Sequence, residues 1–80
     1  MRVTAEQFRR TLLAQPFQPF TLQLSDGRQF HVPEREFASM SHSGRTVIVI
    51  QPDDSFEVID LLLVVRLEVR PPAGSTTQGS

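Results

Sequence analysis

Residues 20–32 have the sequence Phe20-Thr-Leu-Gln-Leu-Ser-Asp-Gly-Arg-Gln-Phe-His-Val32, which predicts a β-hairpin. Apolar and polar residues alternate before and after the Asp26-Gly27 pair, and this is the period of strands with one buried face. The pair itself predicts a two-residue turn, because glycine adopts a positive φ freely and aspartate tolerates one. We therefore expect the rest of the domain to pack around this hairpin.

A short helix is predicted before the hairpin. Thr4 and Gln7 have the spacing of a capping box, which marks the start of a helix. The helix is expected to reach about Gln15, because Pro16 has no N–H and cannot continue it. Its predicted apolar stripe consists of Ala5, Phe8 and Leu12, with Leu13 beside it. A helix this short is marginal alone, so we expect it to dock on the sheet.

Further strands are predicted after the hairpin, separated by turns. They span residues 46–51, 56–60 and 65–69, and residues 38–41 are expected to resume an extended course. Between the last two strands, Leu61-Leu-Leu-Val64 fits either a continued strand or a single tight helical turn.

Together these elements predict a mainly β (α+β) fold. An N-terminal helix precedes a five-stranded, strongly bent antiparallel sheet or small barrel, since closure of a barrel removes exposed strand edges. One domain is expected over residues 1–70. Residues 71–80 are expected to form a disordered tail, because they contain no apolar residue larger than Ala and Pro.

Composition limits the classes of function. The chain has 80 residues, a net charge of −1 and no Cys, Trp or Tyr. This net charge gives no overall attraction to nucleic acid or to an anionic membrane. The lack of Cys excludes a disulfide framework and a thiolate metal site. No apolar run resembles a signal peptide or a membrane span, so a cytoplasmic location and no membrane partner are expected.

Two resemblances to known families follow from the same residues. Pro16-Phe-Gln-Pro-Phe20, with Leu22, Leu24, Asp26-Gly-Arg28 and Val32-Pro33, resembles a family of short bacterial proteins with the pattern PFxPFxLxLxDGRxFxVP. This resemblance covers most of residues 5–69 and implies no activity.

The second resemblance is to Sm-like (LSm/Hfq) small barrels. Leu22-x-Leu-x-Asp-Gly-Arg-x-Phe30 after a helix is similar to the first half of the Sm signature, and implies an SH3-like or Sm-like barrel. Sm proteins next carry an aspartate and an asparagine that help hold a base, whereas this chain has Glu34-Arg-Glu-Phe-Ala-Ser-Met40. Asp60-Leu-Leu62 replaces their Arg-Gly element, so no RNA-binding residue is carried over.

Two polar clusters were candidates for chemistry, Ser39-x-Ser-His-Ser43 and Asp53-Asp54. The first lies in a predicted turn with nothing to orient the imidazole of its histidine. The second offers too few oxygen ligands for Ca²⁺. His31 and His42 show no spacing typical of metal ligands. The sequence therefore predicts no catalytic residue, no metal, no cofactor and no enzyme activity.

The aliphatic run Leu61-Leu-Leu-Val-Val65 favours protein association, because it exceeds what one strand face of a small domain readily buries. It predicts a small non-enzymatic interaction or assembly module of unknown pathway, which self-associates or docks to a protein partner. The predicted partner-binding residues are Leu61, Leu62, Leu63 and Val64.

The alternative function is an Sm-like RNA-binding ring subunit. Its predicted contacts are Arg28, Arg45 and Arg66. Single-strand binders usually combine a basic groove with aromatic stacking platforms. The lack of Trp and Tyr therefore weighs against this alternative.

Overall fold

The computed structural model describes residues 3–70, and the predicted tail over residues 71–80 lies outside this range. The described part contains one α-helix, six β-strands and two 3-10 helices. In chain order these are α1 (Ala5–Leu12), β1 (Phe20–Leu24), β2 (Gln29–Val32), η1 (Arg35–Phe37), β3 (Ala38–Met40), β4 (Thr46–Ile50), β5 (Phe56–Asp60), η2 (Leu61–Leu63) and β6 (Val64–Val69).

The strands form two three-stranded antiparallel sheets, with orders β2-β1-β6 and β3-β4-β5. Leu22 of β1 lies opposite Phe30 of β2 and Leu67 of β6. In the second sheet, the buried Val47 lies opposite the buried Ile59. Inward side chains of both sheets join α1 in one apolar core. Its fully buried members are Phe8, Phe20, Leu22, Leu24, Val32, Val47, Val49 and Val64.

The prediction of a mainly β chain with an N-terminal helix is confirmed, but the number of strands was wrong. Residues 29–32 and 38–40 are separate strands in different sheets, which makes six strands instead of five. Pro33 cannot donate a ladder hydrogen bond, and η1 follows it at once. Hydrogen bonding among residues 3–70 therefore gives two sheets, and not the predicted single sheet or closed barrel.

The β1–β2 hairpin has a longer turn than predicted. The Gly27 N–H donates to the Leu24 carbonyl oxygen at 3.0 Å, and the Leu24 N–H donates to the Arg28 carbonyl oxygen at 2.9 Å. Gly27 has φ +94°, whereas the only non-glycine residue with positive φ in residues 3–70 is Asp54. The loop is thus a three-residue turn closed by a glycine in the left-handed region, which is one of the common hairpin connections.

Helix α1 begins as predicted and ends earlier. Thr4 and Gln7 form the predicted capping box, with each side chain accepting the other's main-chain N–H. The helix ends at Leu12, with Leu13 as its C-cap and 57% exposed, so the predicted extension to Gln15 was wrong. Pro16 disfavours helical φ/ψ at the residue before it, which ends the helix upstream of the proline.

Asp60 resolves the ambiguity at residues 61–64 in favour of a helical turn. Its carboxylate accepts a hydrogen bond from the Leu62 N–H at 2.9 Å and caps η2. The strand β6 then begins at Val64 and returns to pair with β1.

Helix α1, with eight residues, is the only α-helix in the described range, and none there is long and apolar enough to cross a membrane. About 20 apolar residues are needed for that purpose.

Candidate functional site

The predicted partner-binding run at residues 61–64 divides between core and surface. Leu61 is 8% exposed and Val64 is fully buried. Leu62 and Leu63 are 64% and 42% exposed. The tight turn of η2 causes this division, because successive side chains of a 3-10 helix point in different directions. A partner surface at this run would consist of Leu62 and Leu63 only.

A larger apolar surface lies on the outer face of the β3-β4-β5 sheet. Ile48 pairs with Val58 and Ile50 with Phe56, and all four side chains lie on the face opposite the core. Phe56 is 63% and Val58 62% exposed. Cross-strand neighbours on one face have Cβ atoms about 5 Å apart, so the four side chains form a continuous patch. We call Ile48, Ile50, Phe56 and Val58 the docking face.

The outer face of the other sheet is polar along its paired registers, and Val65, where the pairing of β6 with β1 shifts register, is 39% exposed. Its outward residues along the paired registers are Thr21, Gln23, Gln29, His31, Arg66 and Glu68. Both sheets contribute their inward faces to the same core, so the difference concerns only their outer faces. Antiparallel sheets with one solvated face usually alternate apolar inward and polar outward residues. The β1-β2-β6 sheet follows this pattern and the β4–β5 pair does not.

Strand β5 is also at the edge of its sheet. At the turn end of the β4–β5 pair, the Gln51 N–H donates to the Ser55 carbonyl oxygen at 2.7 Å. At the opposite end, the Leu61 N–H donates to the Arg45 carbonyl oxygen at 2.8 Å. Hydrogen-bonded residue pairs alternate along antiparallel strands, so the main-chain groups of the odd-numbered residues of β5 form hydrogen bonds with β4. The main-chain groups of its even-numbered residues therefore point to the open edge.

The charge around the docking face is one-sided. Residues 46–65 contain four carboxylates and no Arg or Lys, whereas the other sixty residues contain five carboxylates and eight Arg. The four carboxylates are those of Asp53, Asp54, Glu57 and Asp60. The docking face thus lies on a hairpin whose own charged side chains are all carboxylates, and Arg45 lies beside Asp60 at one end of that hairpin.

The Asp53 carboxylate is ionised at neutral pH. Its carboxylate accepts hydrogen bonds from the Ser55 hydroxyl at 2.6 Å and from the Ser55 N–H at 3.0 Å. These two bonds lower the pKa of Asp53 below its ordinary value, since they favour the ionised form. Asp53 also holds the β4–β5 turn by this contact.

The three predicted nucleic-acid contacts lie on different elements. Arg28 donates from Nε to Asp26 Oδ2 at 2.9 Å, and its guanidinium lies 5.7 Å from the Phe30 ring centroid. Arg66 belongs to the polar outer face of the first sheet. Arg45 lines a hollow of about 320 Å³ at the start of β4. The other residues of this hollow are Gly44, Asp60, Leu61 and Leu62.

The polar clusters considered for chemistry hold turns and strands. The Ser41 hydroxyl accepts the Thr46 N–H at 3.1 Å and lies 3.2 Å from that of Ser43. His31 Nδ1 lies 3.2 Å from the Thr21 hydroxyl on the neighbouring strand. Within residues 3–70 no group of three or more His, Cys, Asp or Glu side chains is placed to hold a metal ion.

Comparison of the chain with protein-family models, with curated proteins and with solved structures gives no match. The resemblance to short bacterial proteins and that to Sm-like barrels therefore both stay predictions.

Sequence reasoning missed the docking face, although a signal for it exists. Thr46-Val-Ile-Val-Ile50 is β-branched throughout, so both faces of this strand carry aliphatic side chains from residue 47 onward. Strands of this kind are typical of sheets covered on both sides. The single predicted helix can cover one face of a sheet but not both. The same run therefore indicates an exposed apolar face.

Proposed function

We propose that this protein is a small, non-enzymatic interaction module that docks a protein surface through the docking face. The observation that carries the proposal is the cluster of four apolar side chains on the outer face of the β4–β5 pair, at positions where the registers of the other sheet carry polar residues. Contiguous exposed apolar patches bordered by polar residues mark interaction sites in folded proteins.

The composition of the docking face fits this role. Aromatic residues are enriched at the centres of protein interfaces, and Phe56 is the most exposed member of the patch. Complete burial of a Phe or Val side chain contributes about 1.5–3 kcal/mol. Since Phe56 and Val58 are 63% and 62% exposed, their burial by a partner would contribute about 1–2 kcal/mol each. Two such anchors suit a weak contact or the centre of a larger one.

For the finer fold we propose an SH3-like arrangement whose halves are the two sheets. The path supports it, since β5 passes through the single turn η2 into β6, which pairs with β1. The Asp60 cap holds this connection tight.

The alternative, an RNA-binding ring subunit, has less support. The Arg28 guanidinium already contacts the Asp26 carboxylate and the Phe30 ring of its own hairpin. Light scattering after size exclusion separates the two functions, because the chain has no Trp or Tyr and strong absorbance near 260 nm would come from nucleic acid. A ring-sized mass with that absorbance would favour the RNA-binding alternative. Binding that weakens steeply with salt would do the same.

A selection from a displayed library of random twelve-residue peptides tests the proposed function. The wild-type chain is the bait, and the double variant Phe56→Ser, Val58→Ser is the counter-bait. A second double variant, Thr21→Ala with Gln23→Ala, changes the polar outer face by the same number of residues. We expect peptides that bind the wild type and the Thr21/Gln23 variant and lose binding to the Phe56/Val58 variant. If no peptide depends on Phe56 and Val58, the proposed function is wrong.

A further inference from the structure

We propose that β5 binds, by strand addition at its open edge, an extended segment of another protein in which apolar residues alternate with Arg or Lys. This inference rests on the proposed function and names the kind of partner. Three features of the described residues carry it: the open main chain of β5, the alternation of its side chains, and the sign of the charge around it.

The main chain of β5 provides the first feature. Phe56 and Val58 direct their N–H and C=O groups to the open edge, because their odd-numbered neighbours bond β4. None of the turn, loop and cap bonds between main-chain groups of residues 3–70 involves either residue. An added strand would satisfy these groups, and strand addition to an exposed edge is a recurring mode of peptide recognition.

The side chains of β5 provide the second feature. Phe56 and Val58 point to the outer face, whereas Glu57 points to the core side with Ile59 and is partly exposed at the sheet edge. Successive residues of an added strand also point to opposite faces. One set of its side chains would therefore extend the apolar docking face, and the other set would lie beside the Glu57 carboxylate. An alternation of apolar and basic residues complements both sides at once.

Two other segments that could pair with the β5 edge, namely β5 of a second copy and residues 71–80 of the same chain, complement it less well. Pairing of β5 with β5 of a second copy would join two hairpins that each carry four carboxylates and no cation in residues 46–65. Such a pair would bring eight carboxylates together with no cation between them, and this repulsion disfavours self-pairing, most of all in a register that places Glu57 opposite Glu57. The chain's own residues 71–80, PPAGSTTQGS, contain no charged residue and no large apolar one. A basic, apolar strand of another protein remains as the complementary occupant.

Three fluorescein-labelled peptides of seven residues test the inference. The first alternates lysine and valine, with lysine at both ends. The second has the same composition with its four lysines together and its three valines together, and the third alternates glutamate and valine. Their dissociation constants are measured by fluorescence anisotropy at low salt, with the complete chain. We expect the alternating lysine peptide to bind at least roughly threefold more tightly than either other peptide.

Three variants locate the binding. Glu57→Lys is expected to weaken binding of the alternating lysine peptide by roughly three- to tenfold and to strengthen that of the glutamate peptide. Glu68→Lys makes the same charge change on the polar outer face and is expected to leave both affinities within about twofold. Val58→Pro removes an N–H that faces the open edge, where proline is tolerated, together with the exposed Val58 side chain, and is expected to weaken binding of the lysine peptide at least roughly tenfold.

Equal affinities of the alternating and block lysine peptides would overturn the inference, as would a lack of binding of the alternating lysine peptide near 1 mM. So would an equal effect of Glu57→Lys and Glu68→Lys on the affinity for that peptide. Wild-type affinity in a folded Val58→Pro variant would do so too. If that variant does not fold, the comparison of Glu57→Lys with Glu68→Lys decides.

The library selection distinguishes this failure from failure of the proposed function. Peptides that depend on Phe56 and Val58 but are neutral or acidic would overturn the inference and leave the proposed function intact. A dimer held by the docking face would do the same. A lack of any dependence on Phe56 and Val58 would overturn both.

Discussion

The guanidinium of Arg35 donates from Nε to the carbonyl oxygen of Leu12, the last residue of α1, at 2.8 Å. A second donor of the same group reaches the Ala14 carbonyl oxygen at 2.6 Å. The guanidinium also lies 5.4 Å from the ring centroid of Phe17, which packs against the core. These contacts satisfy carbonyl groups that the end of a helix leaves free, and they join η1 to α1.

Replacement of Arg35 should therefore destabilise the domain. We expect Arg35→Ala to lower the free energy of unfolding by about 2 kcal/mol, since two hydrogen bonds from a charged donor are lost. Arg35→Lys should recover less than half, because an ammonium cannot reproduce the planar pair of donors. Circular dichroism in urea provides the measurement, since the chain has no Trp or Tyr for fluorescence. Arg10→Ala, which removes an exposed pair with Glu6, is the control and should change stability by less than about 0.5 kcal/mol.

Gly44 contacts the first residue of α1 and should tolerate alanine poorly. Gly44 has φ +80°, and an added Cβ would lie 2.9 Å from the Ala5 Cβ. Gly27 has φ +94° with nothing within 4 Å of such a Cβ. We expect Gly27→Ala to cost about 1–2 kcal/mol for its backbone conformation, and Gly44→Ala to cost more. In a double-mutant cycle Ala5→Gly should reduce the cost of Gly44→Ala; strict additivity would show that the contact carries no energy.

Val58 and Val47 test whether the docking face contributes to the core. They lie on neighbouring strands with opposite orientations, and Val58 is 62% exposed whereas Val47 is fully buried. We expect Val58→Thr to change the free energy of unfolding by less than about 0.5 kcal/mol and Val47→Thr to lower it by about 1–3 kcal/mol. Similar losses at the two positions, measured by urea unfolding, would mean that the docking face is part of the folded core.

Asp26 should make stability depend on pH in the acidic range. A hydrogen bond from the Arg28 N–H at 3.0 Å, followed by one from its side chain, lowers the pKa of Asp26. The folded state then binds this proton less readily than the unfolded chain, so the contribution is present above the ordinary carboxyl pKa of about 4 and is lost as pH falls through the lower folded value. The stability difference between wild type and Asp26→Asn should be constant from pH 7 to about 5 and shrink below it. A difference independent of pH down to 2 would contradict this assignment.

The elements that sequence predicted correctly depend on neighbours along the chain. The capping box joins Thr4 to Gln7, and the alternation in residues 20–24 and 29–32 is visible within each strand. Such local patterns carry their own physical reason, and the structure reproduces them.

The elements that sequence missed depend on residues far apart in the chain. The carbonyl groups after α1 are bonded by Arg35, which is 23 residues from Leu12. The division of residues 29–40 between two sheets depends on pairing with β1 and with β4. The docking face likewise arises from the pairing of Ile48 with Val58, and no pattern within one strand shows which face the helix leaves uncovered.

An NMR titration of the ¹⁵N-labelled chain with the alternating lysine–valine peptide tests the central claim most directly. The quantity measured is the shift of each backbone amide resonance as peptide is added. We expect the largest shifts at Ile48, Ile50 and residues 56–60, and little change at Thr21, Gln23 and Arg66 on the polar outer face. Largest shifts on that polar face, or none anywhere at millimolar peptide, would contradict the proposal that the apolar face of β4 and β5 is the site of binding.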